Sequence, residues 1–448
     1  MRGEVRPREK VSYTLGLVGQ NMIYNFVAMY IMFFFTDLVS MEPHVATVLV
    51  IAASLWDAVN DTIMGLIVDK TRTRWGKFRP YLIAGPPLIG AATVLCFTDF
   101  GLAGAAATAA AIACYVLWDM CYTVSDVPLW AISSVASTVP AEKDRLVTLG
   151  KIGGTVGTAI VTVTSIMVIN AFGGERVASA YTLAALVFVV LGCIPMIACG
   201  LIMKERISAS GKAEPVARDV QTITKNRPLM LLFLSLLLVN MVNNLRQAGQ
   251  MYFAVYVWGD SGQLTNIGIA LILGMCAGMA ATPRLLERFE KRNVYIAACA
   301  LGCVSCALPF FVGGQDIASG LVLLGVSFAF TGVTTISSMS MLMDGIDYSE
   351  WKLGFRGEGL VFSANTFLNK LSNTLSRATL GISLILMSYV ENQPVTPVTQ
   401  AGFSALMFLV PAGCFLLALL PMLFYRITPE ERAGIAGLRE HSDARTPR

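Results

Sequence analysis

Hydrophobic residues along this chain fall in long blocks rather than in alternation. Twelve apolar stretches follow one another, near residues 12–39, 45–69, 79–100, 102–137, 146–171 and 179–204, then 228–258, 264–288, 292–313, 315–346, 356–391 and 401–427. Most have 20 or more residues, and an α-helix of that length crosses the roughly 30 Å hydrocarbon core of a bilayer. Barrel strands would be about ten residues long with alternating polarity. The pattern predicts an all-α membrane protein with twelve transmembrane helices. The fourth, tenth and eleventh blocks exceed what a span requires, which predicts tilt or projection into the cytoplasm.

The polar intervals divide these blocks. KERISASGKAEPVARDVQTITKNRP (204–228) is the longest hydrophilic stretch inside the chain and separates six spans from six. The expected organisation is an N-terminal six-helix bundle over 1–204, a cytoplasmic middle loop over 205–227, a C-terminal six-helix bundle over 228–427 and a cytoplasmic tail over 428–448. Lys and Arg concentrate in loops 2–3, 4–5, 6–7, 8–9 and 10–11, while the alternate loops hold almost none. Cytoplasmic loops carry the excess of positive charge, so both termini are expected in the cytoplasm. GLIVDKTRTRWGKFRPY (65–81) and TPRLLERFEKRNVY (282–295) form a weak repeat: a small residue, an apolar turn, an acid, then a basic loop into the next span. A parallel six-helix repeat is the pattern of major facilitator transporters.

Composition narrows the class further. The chain is 55% hydrophobic and 14% charged, against about 25% charged in soluble domains, and its mean hydropathy is +0.65. The net charge of +4 sits in short loops and is no nucleic-acid signal. All ten cysteines lie in apolar stretches, where thiols behave as small hydrophobes. Cys299, Cys303 and Cys306 include a C-x-x-C without a nearby His, which reads as helix packing rather than a redox or metal site. The only histidines are His44 and His441, so no His-based metal site is expected. The basic N-terminus runs into a long span without a small-residue cleavage site, so no signal peptide is expected.

Charges inside the spans carry the chemistry. Asp57, Asn60 and Asp61 sit at i, i+3 and i+4 and share one helix face. No Lys or Arg lies within ten residues before Asp57, and the nearest after it is Lys70. Two carboxylates and an amide oxygen suit a hard cation such as Na⁺. A carboxylate in low dielectric also gains proton affinity, so H⁺ can take that place. The alternative is a salt bridge to another helix. WDMCYTVSDVPLW (118–130) places Tyr122, Thr123, Asp126 and Trp130 together. An acid beside an aromatic plane suits a sugar, accepting bonds from hydroxyls while the ring covers the C–H face. Pro128 is expected to break this helix locally, and the alternative role for Asp126 is to cap that break. Lys151, Arg246, Lys370 and Arg377 are candidate partners for the acids, with Asn240, Asn243 and Asn244 beside Arg246. TRTRWGKFRP (71–80) and MDGIDYSEWKLGFRGEG (343–359) carry both signs of charge and are expected to form cytoplasmic ion pairs. Neither contains the phosphate-cradling G-x-x-x-x-G-K-[ST].

WDAVNDTIMGLIVDKTRTRWGKFRP, YTVSDVPLW and DYSEWKLGFRGEG resemble the glycoside–pentoside–hexuronide cation symporters, the melibiose-permease-like branch of the major facilitator superfamily, in order and along most of the chain. The resemblance implies two six-helix bundles that rock around a central site. It implies that Asp57, Asn60, Asp61 and Thr123 bind Na⁺, Li⁺ or H⁺. Asp126 and Trp130 would hold the sugar, with Tyr122 and Asn21 nearby, Lys151 in place of a fifth-helix Arg, and Lys370 between the two sites. Asp344, Asp347, Arg356 and Glu358 would form the inner ion-pair network. Three departures point away from a galactoside. Gln20-Asn21 stands where melibiose permease has Lys-Asp, TGVTTISSMS (331–340) stands where it has a Trp, and Lys151 cannot clamp two oxygens as Arg does. The expected activity is cation-coupled symport of a neutral sugar, glycoside or pentoside. The alternative is an anionic hexuronide or glucuronide whose acid is read by Arg246 or Lys370. If the substrate is neutral, Lys370 answers Asp57, Asp61 and Asp126, and Arg246 is held by Asn240, Asn243 and their neighbours.

A polytopic enzyme would need a nucleophile–base pair or metal ligands within the spans, and no intramembrane His supplies either. A sensor that lost transport would not need the full set of acids. The chain is therefore expected to work as a monomer in the inner (plasma) membrane, with no cofactor beyond the coupling ion and no nucleic-acid partner.

Overall fold

A bilayer offers no water to backbone N–H and C=O groups, so a chain of apolar blocks satisfies them within helices. The computed structural model describes residues 5–137, 139–206, 226–312, 316–353, 358–387, 389, 396–426 and 431, without the side chains at 54, 55, 57–59, 62, 69, 140, 141, 144, 353, 358–360, 362 and 363. Among the described residues twelve long helices follow in order, one for each predicted block. They are α1 (Pro7–Phe33, continuing through a π-helical turn Phe34–Leu38), α2 (Pro43–Lys70), α3 (Arg79–Cys96), α4 (Ala105–Val135), α5 (Pro140–Ala171) and α6 (Ala178–Ile202). Then come α7 (Arg227–Tyr256), α8 (Gln263–Arg288), α9 (Lys291–Val312), α10 (Ile317–Leu353), α11 (Glu358–Leu386) and α12 (Pro397–Phe424, with a π-helical turn at Ala405–Leu409). Nine of them, on the described residues, are long and apolar enough to cross a membrane.

Two expectations need correction. α4 runs without interruption through Pro128. Proline removes one backbone donor, and in a membrane bundle neighbouring helices and polar side chains re-satisfy the freed carbonyl. α11 ends at Leu386, short of the predicted 391.

The chain divides into two compact units. The first comprises Met1–Gly211, Gln247–Gly268 and Arg377–Gln400; the second comprises Lys212–Arg246, Ile269–Ser376 and Ala401–Arg448. α7 and α11 therefore each contribute to both. In the first unit α1 packs on α5 and α6, α3 on α4 and α6, and α2 on α4. Two close approaches set the position of α1. Gly19 meets Gly192 of α6 backbone to backbone, and Gly157 of α5 lies against the Val18 carbonyl; a Cβ at any of these would collide with the facing main chain. In the second unit α9 packs on α10 and α12, around a core that includes Leu232, Val242, Tyr295, Phe415 and Met422.

Helix ends leave carbonyls and amides without intrahelical partners, and the two units close theirs alike. Arg79, the first residue of α3, donates from Nε to the Gly200 carbonyl at 2.9 Å and from Nη2 to the Leu201 carbonyl at 3.0 Å, at the C-terminus of α6. Arg292, at the start of α9, donates from Nε to Met422 O at 3.0 Å and from Nη2 to Leu423 O at 2.7 Å, at the C-terminus of α12. A cation at a helix C-terminus also complements the macrodipole. The clasp on α3 is completed from the other side. Glu205 accepts the backbone N–H groups of Lys77 and Phe78, each at 2.8 Å, and of Arg79 at 3.2 Å.

Candidate functional site

The first unit gathers most of the chemistry singled out from the sequence. On α4, Tyr115, Trp118 and Tyr122 are spaced by three and four residues and fall on one face. Their rings stack in sequence, Tyr115 on Trp118 at 5.8 Å and Trp118 on Tyr122 at 5.4 Å between centroids. Tyr24 of α1 lies 5.2 Å from Tyr122 and 6.4 Å from Trp118. Trp118 is fixed by its indole N–H, which donates to Thr93 Oγ1 of α3 at 3.0 Å.

Asp126 continues that face. Gln20 Nε2 of α1 donates to Asp126 Oδ1 at 2.7 Å and to the Tyr122 hydroxyl at 2.5 Å. Gln20 is buried, and its own carbonyl accepts from Asn21 Nδ2 at 2.7 Å. Asn21 is packed beside Gly154 of α5, where a Cβ would stand only 3.0 Å from Asn21 Nδ2. Trp130 borders Gly150 in the same way, and Lys151 follows on α5 as an exposed residue. The structure thus joins Asn21, Tyr122 and Asp126 through Gln20. That residue was visible in the sequence only as half of the Gln20-Asn21 departure. A buried amide one residue before Asn21 was the available signal.

Two of the expected cation ligands, Asn60 and Thr123, meet between α2 and α4. Asn60 Nδ2 donates to Thr123 Oγ1 at 3.0 Å, and the buried Thr123 hydroxyl reaches the Asp119 carbonyl at 3.3 Å. Asp61 follows Asn60, with its Oδ1 buried. The side chain of Asp57 lies outside the described residues. Thr123 and Asp126 are three apart on α4, so the two groups of residues are adjacent along one helix face.

Arg377 of α11 also belongs to this unit. Its Nη1 donates to the Tyr115 hydroxyl at 2.8 Å, and Asp119 and Tyr24 interact with it electrostatically. Its Nη2 is buried and has no hydrogen-bond partner among the described residues.

The second unit holds Arg246, Lys370, Asp344 and Asp347. Arg246 is 2% exposed. Its Nη2 donates to Cys306 Sγ at 2.9 Å, its Nε reaches Met407 O at 3.4 Å, and its guanidinium lies 4.9 Å from the Phe328 ring centroid. Among the described residues its hydrogen bonds go to these groups and not to Asn240 or Asn243, which corrects that expectation. Arg246 turns away from its own helix face because α9 and α12 offer a polarizable thiol and a π-turn carbonyl. Cys306, read from the sequence as a packing residue, is therefore an acceptor, and its sulfur is also 3.0 Å from Ser327 Oγ. Lys370 is half-buried. Asp344 accepts Lys291 Nζ on both oxygens, at 2.8 and 2.7 Å, and Asp347 is buried. Arg356 and the side chain of Glu358 lie outside the described residues.

The chain is similar to known proteins over nearly its whole length. The family profile described as MFS/sugar transport protein matches residues 12–429. The chain is 28% identical over 437 residues to a putative sulfoquinovose importer of Escherichia coli (strain K12), covering 96% of this chain and 92% of that one. It is 26% identical over 438 residues to a glucuronide carrier protein homolog of Escherichia coli (strain K12), covering 96% and 95%. Its fold matches the solved structure of a bacterial homologue of the human lysosomal transporter Spinster, in an inward-facing and unoccupied conformation. That match has a TM-score of 0.66 at 13% identity and covers 95% of this chain and all of that one.

Proposed function

Because this chain belongs to the MFS/sugar transport protein family, we propose that it is a symporter that couples entry of a sugar or glycoside to a monovalent cation by alternating access. It is a multi-pass membrane protein and a transporter, not an enzyme. The proposed setting is the inner membrane with both termini cytoplasmic, as the loop charges direct. Asp57, Asn60, Asp61 and Thr123 would take Na⁺, Li⁺ or H⁺. Asp126, with Tyr122, Trp130, Asn21 and Lys151, would take the sugar, and Gln20 joins them as the group bonded to Asp126.

One observation carries this reading. Asn60 bonds Thr123, and Gln20 bonds Asp126 one helical turn further along α4. A cation drawn to Asn60 and Thr123 acts on the same turn of helix that positions Asp126. The two ligands then share a positioning element, and their coupling is reciprocal. Purified protein in proteoliposomes should accumulate a sugar under an inward Na⁺ or H⁺ gradient. Uptake that equilibrates without concentrating, under every cation gradient, would defeat the symport reading.

A second reading makes the substrate anionic, and Arg377 favours it. Arg246 also has a buried Nη1 with no hydrogen-bond partner among the described residues, yet it is enclosed by Cys306, Met407 and Phe328. Arg377 has a spare Nη2 in the unit that holds Asp126, and a planar guanidinium pairs well with carboxylate or sulfonate oxygens. The relatives named for sulfoquinovose and for a glucuronide support the same class. Competition between methyl glucuronide and methyl glucoside tests it. The acid should compete better, and Arg377→Gln should erase that preference; indifference to the acid would refute it.

A further inference from the structure

The residues from α7 and α11 that belong to the first unit are held there by a polar cluster centred on Asp37. Asp37 is 5% exposed, at the C-terminal end of α1. Its Oδ1 accepts the hydroxyls of Tyr256, the last residue of α7, and of Tyr389, just beyond α11. The two phenols are bonded to each other at 2.7 Å. Thr36 Oγ1 donates to Asp37 Oδ2 at 2.6 Å and lies 2.8 Å from the Tyr252 hydroxyl. Around this centre the same segments touch the first unit again. Gln247 donates to Asn25 at 2.5 Å, Ser261 to Glu175 at 2.9 Å, and Thr265 to the Val163 carbonyl at 3.0 Å. Gly381 of α11 packs so tightly on α2 that a Cβ there would collide with the Thr47 side chain.

Apart from Gln247–Asn25, which is near mid-helix, these contacts lie toward the end of the bundle that the loop charges assign to the outside. α7 leaves the second unit after Arg246 and α11 after Ser376. The docked segments are thus the outer parts of two helices anchored elsewhere. A carboxylate that collects hydroxyl donors makes charge-assisted bonds, and such bonds break and re-form without exposing a large apolar face. We infer that Asp37, with Tyr256 and Tyr389, is an outer latch. It holds the outer parts of α7 and α11 against α1 and α2 and must release before the Gln20–Asp126 site opens to the outside. The topology on which this rests is that of the proposed transporter.

Two variants test the latch by different routes. Tyr389→Phe removes a donor to Asp37, and Gly381→Val wedges α11 off Thr47 without touching the cluster. Each is combined with a reporter, Asn21→Cys, in a full-length chain carrying Cys276→Ser, which removes an exposed native thiol. A membrane-impermeant maleimide is applied from the outside to oriented vesicles, and labelling of the same chain without the reporter is subtracted. Both variants should label faster from outside, Tyr389→Phe by about tenfold for loss of one charge-assisted hydroxyl bond. Access from inside should not rise. Unchanged outside labelling in both variants, or an equal rise from both sides, would overturn the latch. The readout needs no sugar and no cation, so a failure of the symport reading in the uptake assay is separately visible.

Discussion

Asp126→Asn isolates the charge at the sugar site while keeping its shape. Gln20 Nε2 sits 2.7 Å from Asp126 Oδ1, a position that a sugar hydroxyl would take over. Asparagine retains an oxygen there for Gln20 to bond, so folding should be preserved. A hydrogen bond to a charged group contributes about 1.5–3 kcal/mol, against about 0.5–1.5 for a neutral pair. The loss is then about 1–1.5 kcal/mol per hydroxyl, or about 2–3 kcal/mol for two hydroxyls on one carboxylate. Affinity should fall about 30- to 150-fold. Calorimetric titration of purified protein with the sugar that uptake identifies, with and without Na⁺, measures it. Cation affinity should persist, because Asn60 and Thr123 are untouched. Sugar affinity within threefold of wild type, or parallel loss of cation binding, would refute the assignment of Asp126 to the sugar.

Other expectations follow from the same geometry. Asn60→Ala or Thr123→Val should weaken cation-dependent uptake at least about fivefold, for loss of roughly 1 kcal/mol per hydrogen bond, while sugar exchange without a gradient continues; Na⁺-activation curves report this. Arg292→Ala should lower the thermal midpoint of the second unit, and Arg79→Ala that of the first, each removing two bonds to helix-terminal carbonyls; thermal unfolding in detergent shows whether the losses match. Lys10 bonds Glu142 at 2.7 Å and holds its carboxyl below the ordinary 4.5. A depressed acid contributes stability that is complete above its unfolded value and lost as pH falls through its folded value. Acid unfolding of Glu142→Gln and wild type should therefore converge below pH 4.5 and separate above it.

The twelve spans were legible because lipid leaves the backbone no choice but helix, and helix length follows from bilayer thickness. The grouping of the candidate residues was legible where the sequence itself brings them together, as with Asn60 and Asp61 or Tyr122 and Asp126. Contacts across long separations were not. Nothing local marks Cys306 as the acceptor for Arg246, or Tyr256 and Tyr389 as donors to Asp37. Gln20 was overshadowed by Asn21 because neighbouring helical positions point about 100° apart, and only the packing of α1 on α5 and α6 decides which one turns toward α4. The break expected at Pro128 followed from a local rule that neighbouring helices override.

The matched arginine clasps also bear on ancestry. Arg79 is the first residue of α3 and Arg292 the second of α9, and each closes the last turn of α6 or α12 at the same two positions, the second and first before its final residue. Nε–H and Nη2–H form one edge of the planar guanidinium fork, so in both clasps the same two nitrogens meet successive carbonyls. A half-length gene that was copied and joined would leave this record, because an arginine that seals its own six helices remains useful after fusion.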